Sequence, residues 1–213
     1  MKIDLINAGK RFNREWIFKS ASLQFNSSNA YAVTGPNGSG KSTLLQAIGG
    51  MLQLSEGKIE LIVGGKKLAV EEEYKHISFC APYMDVIEEM TLTEFLNFHN
   101  QFKPFLPSFT TKKIISEIGL DAAANKQIRY YSSGMKQRVK LAQAIFSNAA
   151  IVLLDEPCSN LDAKGIELYH ALITQYCKDR LVIVCSNDPV EYKFCQTILS
   201  MAEFKTSNRN RQS

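Results

Sequence analysis

The sequence predicts an α/β fold with a mainly parallel sheet, an antiparallel β part near the amino terminus and a helical insertion in the middle of the chain. Three observations lead to this prediction. Short strand patterns occupy the first third of the chain, helical patterns dominate its middle, and strands alternate with a helix again near its end. Strands joined through helices pair in parallel, whereas strands joined by tight turns pair antiparallel.

The amino-terminal third has the pattern of short strands, and one of them runs into a glycine pair, Gly64-Gly65, that favours a hairpin. The predicted strands span residues 3–8, 22–25, 30–33, 59–63 and 77–80. A helix is predicted to begin at Lys41, directly after a glycine-rich turn. Further helices are predicted at residues 91–102, 111–118 and 133–147.

Two apolar runs near the carboxyl terminus have the composition of strands that are buried on both faces. They are IVLLDEP, which begins at Ile151, and LVIVCSND, which begins at Leu181. Between them, an apolar stripe recurs at the spacing of one helix face, at Tyr169, Leu172, Ile173 and Tyr176. This order predicts parallel strands connected by a helix.

Composition limits the classes of function. The chain is 45% apolar, which is enough for a substantial core, and its formal net charge of +4 does not predict a nucleic-acid partner. Five scattered cysteines without a CxxC spacing predict reduced thiols and no zinc site. The amino terminus lacks the apolar core of a signal peptide, and the apolar runs are too short to span a bilayer. Any membrane role is therefore expected to need a separate membrane protein.

The segment from Gly35 to Thr43 matches GxxxxGK[ST] between a predicted strand and a predicted helix. Its glycines let successive N–H groups point into one concavity, where the helix N-terminus adds positive potential. We expect Lys41 to reach the β and γ phosphates of a bound polyphosphate and the Ser42 hydroxyl to ligate Mg²⁺. The full set of predicted phosphate-binding residues is Gly35, Pro36, Asn37, Gly38, Ser39, Gly40, Lys41, Ser42 and Thr43. A glycine-rich turn without a ligand is the alternative.

Two adjacent carboxylates, Asp155 and Glu156, end a strand that should lie beside this loop. Asp155 is predicted to hold Mg²⁺ through its water shell, and Glu156 to accept a proton from the water that attacks the γ phosphate. An acidic strand end that only caps a helix or faces solvent is the alternative.

A third motif, Tyr131-Ser132-Ser133-Gly134-Met135, opens the helix predicted at 133–147. Small residues ahead of a helix can form a second anion-binding N-terminus. Taken alone, the motif is better explained by Ser132 or Ser133 as an ordinary N-cap, and the stripe that includes Val139 and Phe146 as packing.

Four motifs, GPNGSGKST, YSSGMKQR, LLDEP and SNLD, follow one another in an order that resembles the ATP-binding cassette (ABC) domains, over nearly the whole chain. The resemblance implies a P-loop NTPase of the ABC type that binds ATP and Mg²⁺. Residues 1–213 would form one domain, with a RecA-like core at about 1–80 and 148–201, a helical subdomain at about 83–147 and a tail at 202–213, read as frayed from Lys205.

The same resemblance implies that two cassettes, identical or different, sandwich ATP head to tail. Ser132, Ser133 and Gly134 would contact the ATP held by the partner cassette, and the loop from Ser159 to Asp162 would cross the dimer interface. Asp162 can also cap the helix that follows it. Phe12 stands where the family has an aromatic residue that stacks on adenine. Trp16 is the alternative, and either ring can instead belong to the core.

In the signature motif, Tyr131, Ser133 and Met135 replace the family's usual leucine, second glycine and glutamine, and two further departures bear on catalysis. Pro82 stands where a glutamine usually contacts Mg²⁺, so either a water molecule or a residue such as Tyr83 or Asp85 takes that role. Asn187 stands where a histidine usually faces the γ phosphate. Asparagine donates a neutral hydrogen bond but carries no proton or positive charge, so slow hydrolysis by Glu156 and Asn187 is expected.

The function implied by the resemblance is that of the ATP-hydrolysing subunit of an ABC membrane transporter. An integral membrane permease would be its partner, and the cytoplasmic face of the inner (plasma) membrane its location. An aromatic cluster at Phe95, Phe98, Phe102, Phe105 and Phe109 would line the permease groove, or else belong to the core. The alternatives are a degenerate cassette that binds ATP without turnover, a soluble cassette ATPase outside transport, and a P-loop kinase or GTPase.

Overall fold

The computed structural model describes residues 1–205, so the predicted tail lies outside the described residues from residue 206 onward. Strands in this part of the chain form two sheets. They are β1 (Lys2–Phe12), β2 (Glu15–Asn26), β3 (Ala30–Thr34), β4 (Glu56–Val63), β5 (Lys66–Lys67), β6 (Ile77–Cys80), β7 (Ile151–Asp155), β8 (Leu181–Cys185) and β9 (Thr197–Ser200). The helices are α1 (Lys41–Ile48), α2 (Val70–His76), α3 (Leu92–Phe102), α4 (Thr111–Glu117), α5 (Ser133–Phe146), α6 (Ala163–Tyr176) and α7 (Pro189–Tyr192). Short 3-10 turns lie at Asp121–Ala123, Ile128–Tyr130 and Met201–Phe204.

The first sheet is antiparallel, in the order β2-β1-β4-β5, as the sequence predicts. The hairpin predicted at Gly64-Gly65 is present, since Val63 pairs with Lys66 across it. Strands β1 and β2 are longer than predicted and include Phe12 and Trp16. Their pairing is broken by register shifts at three places, which interrupts the alternation of apolar and polar residues that would have revealed their length.

The second sheet is parallel throughout, in the order β6-β7-β8-β3-β9. Strands β7 and β8 are buried along their whole length, as their apolar runs predict. The sequence analysis missed the edge strand β9, which is short and presents Ile198 to solvent. The fold is therefore an α/β fold with an antiparallel amino-terminal part, and the predicted fold class is confirmed.

Parallel pairing decides where the site forms. Strands β3, β7 and β8 end at Thr34, Asp155 and Cys185, and the loops that follow meet at one edge of the sheet. Two backbone hydrogen bonds continue the pairing into these loops, from Glu156 N to Cys185 O (2.9 Å) and from Ser186 N to Val33 O (3.2 Å).

Side chains cap several helices, and the caps explain where these helices begin. Thr91 and Glu94 form a capping box at the start of α3. Ser132 caps α5 and Asp162 caps α6, each by accepting a backbone N–H in the first turn. Both capping roles were considered in the sequence analysis. Helix α2 was missed because none of its residues is buried, so it has no apolar stripe, and α7 because its four residues are too few to show a helical period.

The aromatic cluster of the helical region divides into two sets. Phe95 and Phe105 are buried in the core beneath α3, α4 and α5, whereas Phe98 and Phe102 are exposed and pack edge to face with ring centroids 5.0 Å apart. Phe109 is half-buried and packs against Phe146 and Tyr176 of the same core, so the core interpretation holds for Phe95, Phe105 and Phe109. The division of the chain into a RecA-like core and a helical subdomain stays a prediction.

His99 on α3 gives the fold a pH dependence. Burial and the positive charge of Lys103 lower the pKa of His99 from 6.5 to about 4, and its Nε2 lies 2.9 Å from the Ser147 hydroxyl. The unfolded chain binds a proton at this residue from about pH 6.5 downward, whereas the folded chain does not until about pH 4, so stability is lost as the pH falls through this window. Urea unfolding at pH 7.5 and pH 5.0 should show a smaller loss for His99→Gln than for the wild type. Equal losses would contradict this assignment.

Candidate nucleotide-binding site

The glycine-rich turn connects β3 to α1 and closes tightly on itself. Gly40 has a φ of 100°, and a Cβ at this position would lie 2.5 Å from Cγ2 of Ile17, so only glycine fits here. The Lys41 ammonium is buried and donates to the Gly35 carbonyl at 2.7 Å, which holds it inside the turn. The Ser39 hydroxyl is buried and has no partner among the described residues. The turn thus directs a cation, a hydroxyl and the α1 N-terminus towards one point.

One cavity of about 360 Å³ contains both the phosphate loop and the acid predicted to act as the base. Its lining consists of Asn37, Gly38, Ser39, Gly40, Lys41, Ser42 and Thr43, together with Ile17 and Glu156. Ile17 was not predicted, although it follows the alternative aromatic candidate Trp16 directly in the chain. The structure therefore places Glu156 across the cavity from the loop that is suited to hold phosphates.

Asp155 ends β7 with a carboxylate that is almost fully buried, and its Oδ1 has no partner among the described residues. Burial raises the pKa of Asp155, a hydrogen bond from Ser42 lowers it, and the neighbouring Glu156 charge raises it again. An unpartnered carboxylate oxygen beside a hydroxyl is a set of donors that suits a hard divalent cation. Ser42 and Asp155 therefore fit Mg²⁺, which would neutralise charge on the phosphates.

Glu156 has a positive φ of 43°, in the left-handed region that non-glycine residues rarely occupy. Its backbone N–H is held by the Cys185 carbonyl, while its side chain is exposed to the cavity. Backbone strain of this kind persists only where surrounding contacts fix it, and it is common in active sites.

Asn187 is tied to the phosphate loop by both polar atoms of its side chain. Its Oδ1 accepts the Gly35 N–H at 3.1 Å, and its Nδ2 donates to Asn37 Oδ1 at 3.1 Å. The sequence analysis placed Asn187 near the γ phosphate as a donor. The structure adds that the amide already bridges two residues of the loop, which makes it a support for the loop as well.

The segment that departs from the family pattern at Pro82 lies next to the same site. The Pro82 carbonyl accepts from Lys140 at 2.8 Å. Of the two proposed substitutes for glutamine, Tyr83 is the one beside Asp155. The pKa of Tyr83 is raised to about 12, mainly by burial and further by the Asp155 charge, while a hydrogen bond with Gln46 acts in the opposite direction. Asp85 is exposed.

Ser132, Ser133 and Gly134 line a second cavity of about 500 Å³, together with Asn160 and Asp162. A Cβ at Gly134 would lie 3.0 Å from the Asn160 carbonyl, so this glycine lets the start of α5 pack on the loop before α6. None of these residues lines the phosphate-loop cavity of the same chain. The two cavities are thus separate within one chain.

Phe12 and Trp16 lie at the end of the β1–β2 hairpin, outside the residues that line the phosphate-loop cavity. Phe12 is 48% exposed, with the Lys10 ammonium 4.9 Å from its ring centroid. Two cations, Arg11 and Lys19, lie over the Trp16 ring. Adenine stacking stays a prediction for Phe12.

Comparison with known proteins identifies the family. A family model described as ABC transporter matches residues 18–159. The chain belongs to the ABC transporter family. It is 31% identical to the uncharacterized ABC transporter ATP-binding protein YybJ of Bacillus subtilis (strain 168), over 93% of this chain and 92% of that protein. It is also 34% identical to the cytochrome c biogenesis ATP-binding export protein CcmA of Xylella fastidiosa (strain 9a5c), over 72% of this chain and 69% of that protein.

Solved structures confirm the ABC ATPase fold. The bacterial ABC transporter cassette MJ0796, solved as a dimer, matches with a TM-score of 0.79 at 24% identity over 99% of this chain and 100% of that chain. A second dimeric structure of MJ0796 represents a post-hydrolysis state bound to ADP and Pi, with a TM-score of 0.80. ABC cassettes are ATPases that dimerise. Within residues 1–205 of the present cassette, none of the helices has the length and apolar character needed to span a membrane.

The raised pKa of Asp155 has a measurable consequence for stability. An acid whose pKa is higher in the folded chain than in the unfolded chain destabilises the fold at neutral pH, and the penalty decreases as the pH falls. Asp155→Asn should therefore raise the melting temperature at pH 7.5. Mg-ATP should raise the melting temperature of the wild type and should have no such effect on this variant. Asp121→Asn, which changes an exposed carboxylate, should alter neither the melting temperature nor its response to Mg-ATP. A lower melting temperature for Asp155→Asn would contradict the prediction.

Proposed function

We propose that this cassette hydrolyses ATP as one half of a head-to-tail pair and thereby powers an ABC membrane transporter. The single observation that carries the proposal is that Lys41, Ser42 and Glu156 line one cavity. A cation, a metal-binding hydroxyl and a carboxylate around one phosphate-sized concavity are what γ-phosphoryl transfer to water requires.

Each residue has a role that follows from its position. The backbone N–H groups of the loop and Lys41 hold the β and γ phosphates, and Ser42 and Asp155 hold Mg²⁺. Glu156 takes a proton from the attacking water. Asn187 keeps the loop in place through Gly35 and Asn37 and offers no positive charge of its own. We therefore expect turnover to be slow.

The need for a second cassette follows from the two cavities. The small residues that open α5, Ser132, Ser133 and Gly134, form a helix N-terminus suited to a phosphate, yet they line a different cavity from Lys41. A second chain placed head to tail supplies the missing half to each site, by homodimer or heterodimer formation. The loop at Ser159 to Asp162 would then lie at the interface, where it borders the same α5 cavity.

Steady-state ATPase assays test the catalytic roles. Glu156→Gln should lower kcat by about 100-fold or more, because a general base contributes on this scale. Asn187→His should raise kcat by about tenfold, since it introduces a donor that can carry charge towards the γ phosphate. Asn187→Ala is the matched control, because it removes both loop contacts without adding a donor, and it should lower kcat.

Glu156→Gln and a phosphate-loop variant, Lys41→Ala, test the pairing of cassettes. With Mg-ATP, Glu156→Gln should accumulate as a dimer in size-exclusion chromatography, whereas Lys41→Ala should stay monomeric because it cannot hold the phosphates. Unchanged turnover in Glu156→Gln would remove this residue from the mechanism.

A cleft beside α3 supports the proposed membrane partner. It has a volume of about 200 Å³ and is bordered by Met51, Tyr74, His99 and Lys103. Met51 and Tyr74 are exposed, as are Phe98 and Phe102 on α3. Exposed aromatic residues around a concave site are typical of protein interfaces, and a short helix of a permease fits such a groove. Localisation at the cytoplasmic face of the inner (plasma) membrane follows from this proposal.

Sedimentation with washed membranes from native cells tests the docking site. Phe102→Glu should release the cassette from membranes, because it places a charge in an apolar contact. Ile198→Glu is the matched control, since Ile198 is 61% exposed, close to the 68% of Phe102, but lies on the edge strand β9. Equal release of both variants, or of neither, would contradict docking at α3.

A binding-only cassette is the second candidate function, and the geometry of Asn187 favours it specifically. Because the Asn187 amide is bonded to the loop at both polar atoms and carries no positive charge, the γ phosphate lacks the charged donor that the usual histidine can provide. A wild type that binds Mg-ATP without turnover would select this function over the first. A soluble cassette ATPase outside transport would bind and hydrolyse ATP but stay free of membranes in the sedimentation assay.

A further inference from the structure

A single peptide group beyond Glu156 is gripped from both ends by buried side chains. Gln137 Nε2 donates to the Pro157 carbonyl at 2.8 Å, and the Cys158 N–H donates to Glu191 Oε1 at 2.8 Å. The carbonyl and the N–H belong to the same trans peptide, so they point in opposite directions. Gln137 and Glu191 therefore hold this peptide from opposite sides, an arrangement that we call the peptide clamp.

Both side chains of the clamp are almost fully buried, with Gln137 at 2% and Glu191 at 5% exposure. Burying an amide and a carboxylate is unfavourable unless they are hydrogen-bonded, and Glu191 Oε2 has no partner among the described residues. Burial raises the pKa of Glu191, the Ser186 hydroxyl and the Cys158 N–H lower it, and the Glu156 charge raises it. An apolar pair here would leave the Pro157 carbonyl and the Cys158 N–H without these partners, so the two side chains satisfy and fix this peptide together.

The clamp connects three elements that the proposed mechanism uses. Gln137 lies on α5, the helix that begins at Ser132–Gly134, and Glu191 lies on α7, which begins two residues after Asn187. The gripped peptide joins Pro157 to Cys158 and lies one residue beyond Glu156. The turn that starts there, through Ser159 N to Glu156 O (3.1 Å) and Leu161 N to Cys158 O (3.0 Å), leads into the loop at Ser159 to Asp162.

We propose that Gln137 and Glu191 are positioning residues for hydrolysis, which hold Glu156 in its strained left-handed conformation by gripping the Pro157–Cys158 peptide. This inference rests on the proposed function, because it explains the strained backbone of Glu156 by the role of Glu156 as general base. The ring of Pro157 fixes φ at the next residue, so a grip on both polar atoms of the Pro157–Cys158 peptide restrains the backbone just beyond Glu156 and opposes relaxation of its φ of 43°. The carboxylate of Glu156 is thereby kept facing the phosphate loop.

Four variants separate positioning from simple stability. Gln137→Met and Glu191→Met preserve approximate size and remove the polar atoms, whereas Glu191→Gln keeps an oxygen that can accept the Cys158 N–H. Each methionine variant should lower kcat for ATP at least about tenfold with KM changed less than about threefold, since small misplacements of a catalytic group cost this much. Glu191→Gln should retain kcat within about twofold of the wild type. The kcat of the double methionine variant should be no lower than that of the slower single variant, because both substitutions release the same peptide.

Tyr169→Phe is the matched control. Its hydroxyl is buried and donates to the Glu191 carbonyl at 2.9 Å, so the substitution removes a hydrogen bond to the same residue without touching the clamp. Its melting temperature should fall, while kcat should stay within about twofold. If Tyr169→Phe lowers kcat as much as Glu191→Met does, or if Glu191→Gln is as slow as Glu191→Met, the proposal is overturned. If neither methionine variant folds, the clamp serves stability, and the proposal is overturned in that case too.

Amide hydrogen exchange tests the clamp without any need for turnover. Protection of the Cys158 N–H should fall at least about tenfold in Glu191→Met and in Gln137→Met, and persist in Tyr169→Phe. Unchanged protection would refute the grip itself. If the methionine variants lose protection as expected but the wild type hydrolyses no ATP, the proposed catalytic function is refuted. The peptide clamp would then exist without a catalytic role.

Discussion

The parallel register of β3, β7 and β8 is the constraint on which the rest of the site depends. Val33 pairs with Cys185, and Asp155 pairs with Cys185 from the other side, so three strand ends lie side by side. Hydrogen bonds from Glu156 N and Ser186 N carry this register one residue into the loops. A slip by one residue in any of the three strands would separate the phosphate loop from the carboxylates, because side chains alternate between faces along a strand.

Unfavourable features accumulate around this edge of the sheet. Buried polar atoms without a partner in the described residues include Ser39 Oγ, Asp155 Oδ1 and Glu191 Oε2, and Glu156 has a strained backbone. Each lowers the stability of the fold. Their position beside the phosphate-loop cavity indicates that local stability is lower where polar groups must stay free to meet phosphate, metal and water.

Apolar packing on both faces of the sheet offsets this local loss of stability. Leu153 and Ile183 face the core shared with the antiparallel sheet, whereas Val152 and Val184 face the core beneath the helices. Arg180 anchors the end of α5 by donating to the Ile145 carbonyl at 2.6 Å. Helix α5 is thus fixed at its far end by Arg180, and closer to its start by Gln137, which donates to the Pro157 carbonyl.

The sequence by itself determined the features that depend on near neighbours in the chain. These include the glycine-rich loop with its lysine, the buried strands β7 and β8, and the helices with their caps at Thr91, Ser132 and Asp162. Local conformation follows from residues a few positions apart, so a pattern reveals it. Resemblance to a known family added the proposed roles of Ser132–Gly134 and Asn187, which no local pattern contains.

Only the tertiary structure decided which distant groups meet. It placed Ile17 against Gly40, bonded both ends of the Asn187 amide to the loop, and brought Gln137 and Glu191 to one peptide across 20 and 33 residues of sequence. It also added β9, whose pairing with β3 has no signal within its own four residues. The physical reason is that such contacts are set by strand order and helix packing, which are properties of the whole chain.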